Sequence, residues 1–198
     1  SSLAYLVKSN EVVYAPSASV VGTIKQQQTK ATGRAMLIIA DAVFYSNDAR
    51  AQKRTAAAAT DAEVRGLGIQ SAVADVSGTT PASNPQMEGL PLARLNGTRT
   101  EADQISKLAK SSGSQADVWL DLDANEDNLT ARDVSKYRII HVATHGLLNA
   151  ERPQFTGVVL SLVGNKSHDG FVRTDEVFNL RLGSPLVMLS ACETGLGK

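Results

Sequence analysis

The chain has a single cysteine, Cys192, in 198 residues. One thiol cannot close an internal disulfide, so the stapled scaffolds of small secreted domains are excluded and packing must hold the fold. An excess of charge of either sign is also missing. Lys+Arg 20 balance Asp+Glu 20, which leaves no electrostatic footprint for a phosphate backbone or an anionic membrane, and neither nucleic acid nor membrane is an expected partner. No apolar run approaches the ~20 residues of a spanning helix, and the opening Ser-Ser-Leu-Ala-Tyr has no basic-then-apolar leader pattern. These absences predict a cytoplasmic protein. What is present is an apolar content of 42%, enough to bury one full core, so one domain with decorations is expected.

Two patches near the end carry the chemistry. Tyr137-Arg-Ile-Ile-His-Val-Ala-Thr-His145-Gly146 and Pro185-Leu-Val-Met-Leu-Ser-Ala-Cys192-Glu-Thr-Gly195 are each a short apolar run of the kind that forms a buried parallel strand. Each delivers one reactive side chain where the strand ends. A lone cysteine with a histidine about fifty residues upstream is a spacing found for catalytic thiols. If strands 138–144 and 186–190 are neighbours in a parallel sheet, His145 and Cys192 both emerge at its carboxyl edge, where open α/β sheets place their ligands.

The pairing has a simple physical logic. A thiol with a pKa of about 8.5 is only a few per cent thiolate at neutral pH, so attack on a carbonyl needs a neighbouring base. His145 is the candidate. The attacked carbonyl becomes an oxyanion, which backbone N–H groups must meet where no side chain blocks approach. Gly146 offers one beside the base, and Cys192 can offer a second.

Taken together, His-Val-Ala-Thr-His-Gly, Asp169-Gly-Phe-Val-Arg-Thr-Asp-Glu-Val-Phe-Asn-Leu-Arg-Leu and Leu189-Ser-Ala-Cys-Glu-Thr-Gly-Leu-Gly197 resemble the CHAT domain, a caspase-like cysteine peptidase module of the separase and caspase clan that often accompanies tetratricopeptide repeats. Val12-Val-Tyr-Ala-Pro-Ser-Ala-Ser-Val20 and Leu92-Ala-Arg-Leu-Asn-Gly-Thr-Arg-Thr-Glu-Ala-Asp103 resemble the same family in order and type. The resemblance implies a mostly parallel central sheet with helices on both faces. It also implies a thiol peptidase in which Cys192 is the nucleophile, His145 the general base, and the Gly146 and Cys192 amides the oxyanion hole, with no cofactor and no metal. The implied partners are a protein substrate, a tetratricopeptide-type regulatory region, and the remaining carboxyl-terminal part of the domain. In the family a further stretch follows the nucleophile, so residues 1–198 are expected to be a partial CHAT domain truncated after the catalytic cysteine.

The rest of the chain reads as α/β. Ala4–Val7 and Glu11–Tyr14 suit a hairpin, and Ser17–Gln28 a polar-faced helix. Ala35–Phe44 is a buried-strand run. Thr98 with Glu101 predicts a capping-box start to a helix whose apolar stripe is Ala102, Ile105, Leu108 and Ala109. Val118, Leu120 and Leu122 alternate with Asp117, Trp119 and Asp121, predicting a strand with one polar face. A helix over 126–136 precedes the His145 strand, and Thr174 caps a short helix with Asp175 and Glu176 in its first turn. The strand ending at Ser190 is expected to be central. Residues 46–90, rich in Ala, Ser, Thr, Gly and Pro, break this rhythm and predict a loop or disordered insertion with one helix around Ala51–Val64, or else a regulatory loop exposing Lys53-Arg54 to a protease.

Three features invite metal or acid-base readings. His141 and His145 stand four apart, a zinc spacing on a helix, but on a strand four residues span ~13 Å and His141 reads as a packed polar residue. Asp121, Asp123, Asn125 and Asp127 mimic the start of a calcium loop, yet Glu126 replaces the turn glycine and Arg132 the final glutamate. Glu193 reads as an ordinary first-turn charge or as an orienter of the imidazole. Three function classes follow. They are an endopeptidase, a catalytically silent caspase-like interaction or scaffold module, and a non-peptidase acyl transferase using the same dyad.

Overall fold

The computed structural model describes residues 35–52, 92–148, 153–183 and 186–191. Contacts divide the chain into two units, Ser1–Lys30 and Ala31–Lys198, and every described residue belongs to the second. The predicted hairpin and helix before residue 30, most of 46–90, and Cys192, Glu193 and Gly195 lie outside the described residues.

The element order is β1 (Ala35–Ala42), α1 (Ala49–Gln52), α2 (Asn96–Ser111), β2 (Gln115–Asp121), α3 (Glu126–Ala131), β3 (Ile139–Ala143), β4 (His145–Leu147), a 3-10 turn at Pro153–Phe155, β5 (Gly157–Val159), β6 (Phe171–Arg173), α4 (Thr174–Asn179) and β7 (Leu186–Ser190). Four strands form a sheet in the order β2-β1-β3-β7, all pairs parallel. Parallel pairing requires crossover connections that cover the faces, and the strands accordingly read as continuous apolar runs. The fold is α/β with helices on both faces of a parallel sheet, as predicted.

β1 is the centre of the core. Met36, Ile38 and Ala40 point to one face, where they meet Ala102 and Ile105 of α2. Leu37 and Ile39 point to the other and join Trp119, Leu129, Val134, Ile140, Val142 and Phe171. Each buried aliphatic side chain there contributes about 1.5–3 kcal/mol, so this double-sided strand is the least replaceable element.

Several local expectations change in the folded chain. α2 begins at Asn96, not at a Thr98 cap. The Thr98 hydroxyl instead donates to the Leu95 carbonyl at 2.8 Å and accepts the buried Asp41 N–H at 3.0 Å, because the irregularity between Ala40 and Ala42 leaves that amide without a ladder partner. The supposed polar face of β2 carries Trp119, only 6% exposed. Gln115 and Asp117 on the same face are exposed, so the polar face is present but closes over at Trp119, which joins the core. α3 ends at Ala131, five residues before the predicted limit, since the Asp133 carboxylate captures the Ser135 N–H at 3.0 Å and turns the chain. Thr174 is the first residue of α4 and donates to the Thr156 carbonyl at 3.0 Å, while Glu176 accepts the Arg173 N–H at 2.7 Å. Among the described strands β7 lies at one end of the order and β2 at the other, with Leu189 of β7 61% exposed.

A second, three-stranded antiparallel sheet, β4-β5-β6, grows from the end of β3. Gly157 is required there: a Cβ would stand 2.3 Å from the Val172 carbonyl oxygen. No helix among the described residues is long and apolar enough to cross a membrane.

Candidate active site at the carboxyl edge of the sheet

Strands β1, β2, β3 and β7 end at the same edge. Leu120, Ala40, Ala143 and Ser190 stand in one row across it, so whatever follows each strand is delivered to one neighbourhood. The pairing of 138–144 with 186–190 expected from sequence is present, with Val142 opposite Leu189 and Ala143 opposite Ser190.

After β3 the chain bends at Thr144, whose hydroxyl donates to the Val159 carbonyl, and enters β4 at His145. The imidazole is buried, 6% exposed. Three elements fix its orientation. Its backbone is paired with Val159, its ring lies 5.1 Å from the Phe44 ring at a tilt of 59°, and its Nε2 stands 2.7 Å from the Ala93 carbonyl oxygen. A carbonyl only accepts, so Nε2 carries the proton and Nδ1 is left as the basic nitrogen. Nδ1 is buried and has no hydrogen-bond partner among the described residues. Gly146 is half-buried and opposite Val158 in the antiparallel ladder. Ser190 is followed by Ala191 and then Cys192, which is outside the described residues, so the chain carries the thiol two positions beyond the end of β7.

The segment presenting Ala93 is tied down by a charge cluster that sequence reasoning missed. Asp41, next to last in β1, and Asp121, the last residue of β2, both adopt left-handed backbone, φ 49° and 55°. The Asp41 side chain is fully buried and takes Arg94 in a fork, Nε to Oδ1 at 2.9 Å and Nη2 to Oδ2 at 2.7 Å. Arg99 reaches the same carboxylate at 2.6 Å and Asp121 at 2.5 Å. Arg50, also bonded to Asp48, reaches Asp41 and Asp121, both at 2.9 Å. Burial alone would raise the Asp41 pKa, but the hydrogen bonds from Arg94 and Arg99 and the charge of Arg50 outweigh it and hold the carboxyl below its ordinary value. The Arg50 hydrogen bond chiefly brings Asp48 down to about 2. The only sequence signal was the concentration of Asp and Arg around 41–50 and 94–99, which composition cannot tell from solvated surface.

The remaining candidates separate. His141 is buried in β3, 3% exposed, with Nε2 2.9 Å from Glu101 Oε1, so it and His145 face different partners. Of the calcium-like run, Asp121 engages arginines. Asn125 caps α3 by accepting the Asn128 N–H at 2.7 Å. Asp127 accepts the amides of Lys166, Ser167 and His168 and the His168 ring nitrogen at 2.7 Å. Among the described residues no group of three His, Cys, Asp or Glu could hold a metal ion. A cavity of about 580 Å³ between α3 and α4, lined by Glu126, Leu129, His168 and Glu176, does not include His145 or Gly146.

No curated protein matches the chain. The sequence profile of the CHAT domain matches it over residues 1–198. With the parallel sheet, the His-Gly pair at its carboxyl edge and the adjacent strand leading to Ser-Ala-Cys, this places the chain in the CHAT domain family.

Proposed function

We propose that this chain is the catalytic module of a cysteine endopeptidase, with Cys192 as nucleophile, His145 as general base, and the Gly146 and Cys192 amides as the donors that receive the oxyanion. The observation that carries the reading is the held imidazole. His145 is fixed through Nε2 by Ala93, with Nδ1 unpartnered among the described residues, beside the strand that leads to the only cysteine of the chain. In this mechanism Nδ1 takes the thiol proton as sulfur attacks the scissile carbonyl. The same proton passes to the leaving amine as the peptide C–N bond breaks, and water then cleaves the thioester. Membership of the CHAT family supports a caspase-like, peptidase-related module. By the same reading the enzyme is cytoplasmic, and a tetratricopeptide-type sensor and the downstream part of the domain control access of a protein substrate.

The test uses the full-length protein and a peptide pool read by mass spectrometry. Cys192→Ala and His145→Ala should each abolish cleavage, and the double variant should be hardly worse, because residues acting as one unit are non-additive. Retained cleavage by Cys192→Ala ends the peptidase reading. Cleavage absent even in the parent protein under activating conditions favours the silent interaction module.

A further inference from the structure

The face of the sheet covered by α2 holds a polar contact that neither the fold nor the dyad explains. Glu101 lies on α2, in a stripe otherwise apolar at Ala102 and Ile105. One carboxylate oxygen, Oε1, accepts from Nε2 of His141 at 2.9 Å, and the other, Oε2, accepts at a longer 3.4 Å from the hydroxyl of Ser190. His141 is on β3, paired with Ile38 on one side and Met188 on the other. Ser190 ends β7, opposite Ala143. One carboxylate therefore joins a helix to two neighbouring strands. The strands are the one that leads to His145 and the one that leads to Cys192.

The contact is costly to keep if it does nothing. His141 is 3% exposed and its Nδ1 has no partner among the described residues. Burying an imidazole beside Met36, Ile38 and Ala143 with one nitrogen unpaired is disfavoured relative to an aliphatic residue of that size. The partner that offsets part of this, Glu101, itself comes from a helix position that a plain packing residue could fill. β7, meanwhile, is paired through β3 alone among the described strands and is exposed along its length. Apart from its ladder bonds to β3, the Glu101 contact is the side-chain tether described at its carboxyl end.

We infer that Glu101 is a positioning residue for the nucleophile: through Ser190 and His141 it sets the end of β7 against the end of β3, and so the approach of Cys192 to His145. The inference rests on the dyad reading above. A displacement of about 1 Å at a reacting pair can cost as much as 100-fold in rate, so a tether two residues from the thiol has ample leverage.

The experiment measures alkylation of Cys192 by iodoacetamide in the full-length protein, followed on the Cys192 peptide by mass spectrometry, with thermal denaturation of every variant. Glu101→Ala should slow alkylation about tenfold or more while the protein stays folded. Glu101→Gln should restore most of the rate, because its amide oxygen still accepts from His141 and its amide group still reaches Ser190. Ser190→Ala should slow alkylation, and adding Glu101→Ala to it should cost less than in the parent protein, as residues sharing a contact are non-additive. Parent-like alkylation in Glu101→Ala overturns the inference, and so does a Glu101→Gln protein as slow as Glu101→Ala, which would make the carboxylate charge the active ingredient. His145→Ala separates the two failures. If it leaves alkylation unchanged, the dyad itself is wrong and the inference falls with it. If it slows alkylation and Glu101→Ala does not, only the role of Glu101 is refuted.

Discussion

The Nε2 nitrogen of His145 stands 2.7 Å from the carbonyl oxygen of Ala93, a contact that joins the first residue of β4 to the segment entering α2. Because a backbone carbonyl cannot donate, the contact fixes the tautomer and leaves Nδ1 as the nitrogen that the proposed mechanism assigns to the thiol. Nitrogen NMR of the labelled protein should show His145 protonated at Nε2 and bare at Nδ1 when neutral. A signal for the opposite tautomer would remove the base from the proposed mechanism. Phe44→Ala, which takes away the ring 5.1 Å from the imidazole, should lower cleavage by loosening that orientation.

Asp41 is the anchor of the Ala93 segment. Its side chain is fully buried under three arginines of 15–42% exposure. Removing one partner of a buried ion pair costs about 3–5 kcal/mol, because the charges left behind have no compensation. Partial exposure of the arginines puts Asp41→Ala near the lower end, about 3 kcal/mol, which lowers the midpoint of thermal unfolding by roughly 6–12 °C for a chain of this size. Since the folded-state pKa of Asp41 is lowered, its contribution is present above the ordinary carboxylate value and is lost as the pH falls through the folded one. Acid unfolding of the parent protein should therefore be steeper below about pH 4 than that of Asp41→Ala, and equal slopes would contradict the arrangement.

Glu126 behaves in the opposite sense. It is 1% exposed and accepts one hydrogen bond, from the Gly170 N–H at 2.9 Å. Burial first, and the nearby charge of Glu176 second, raise its pKa from 4.5 to about 7. A raised carboxylate stabilises the fold fully below its unfolded value, and that stability is lost as the pH rises through the folded one. A shift of that size is worth about 3 kcal/mol once the group is ionised. Glu126→Gln keeps the acceptor for Gly170 and should flatten the fall in stability between pH 5 and pH 8 in urea titrations. His168, raised by its hydrogen bond to Asp127, adds a loss of the same sign over part of this range, so the comparison must be parent against variant. An unchanged slope in Glu126→Gln rules out Glu126 as its source.

The parallel strands were legible because their burial on both faces leaves a near-continuous apolar run that no other element shares. Ala35–Phe44 and Ile139–Ala143 are such runs, and the parallel pairing of the His strand with the Cys strand was expected from the resemblance to the family together with the dyad it implies. Element limits were not legible, since each was decided by a distant partner. Thr98 capped nothing because Asp41 needed its oxygen, and α3 stopped where Asp133 captured Ser135. Trp119 was read with Asp117 and Asp121 on a polar face because alternation registers the neighbours' polarity and not what packs above it. Of the candidate site, His145 and Gly146 were found from their own motif. Ala93, Phe44 and the Asp41 cluster were not, because their roles arise only when residues from separate stretches of the chain, such as Ala93 and His145 or Asp41 and Arg94, meet at one edge.

The two stretches that converge on Asp41 lie on either side of residues 53–91, Arg50 before and Arg94 and Arg99 after. A chain of any length between fixed posts adds only slowly to the entropy of closing the loop, about 0.6 kcal/mol for each doubling. A change in the length of that span therefore costs little at the posts, and a single break within it would leave the stretches carrying Arg50 and Arg94 held by the same carboxylate. The sheet edge that presents His145 is in this way pinned from both sides of that span by one carboxylate.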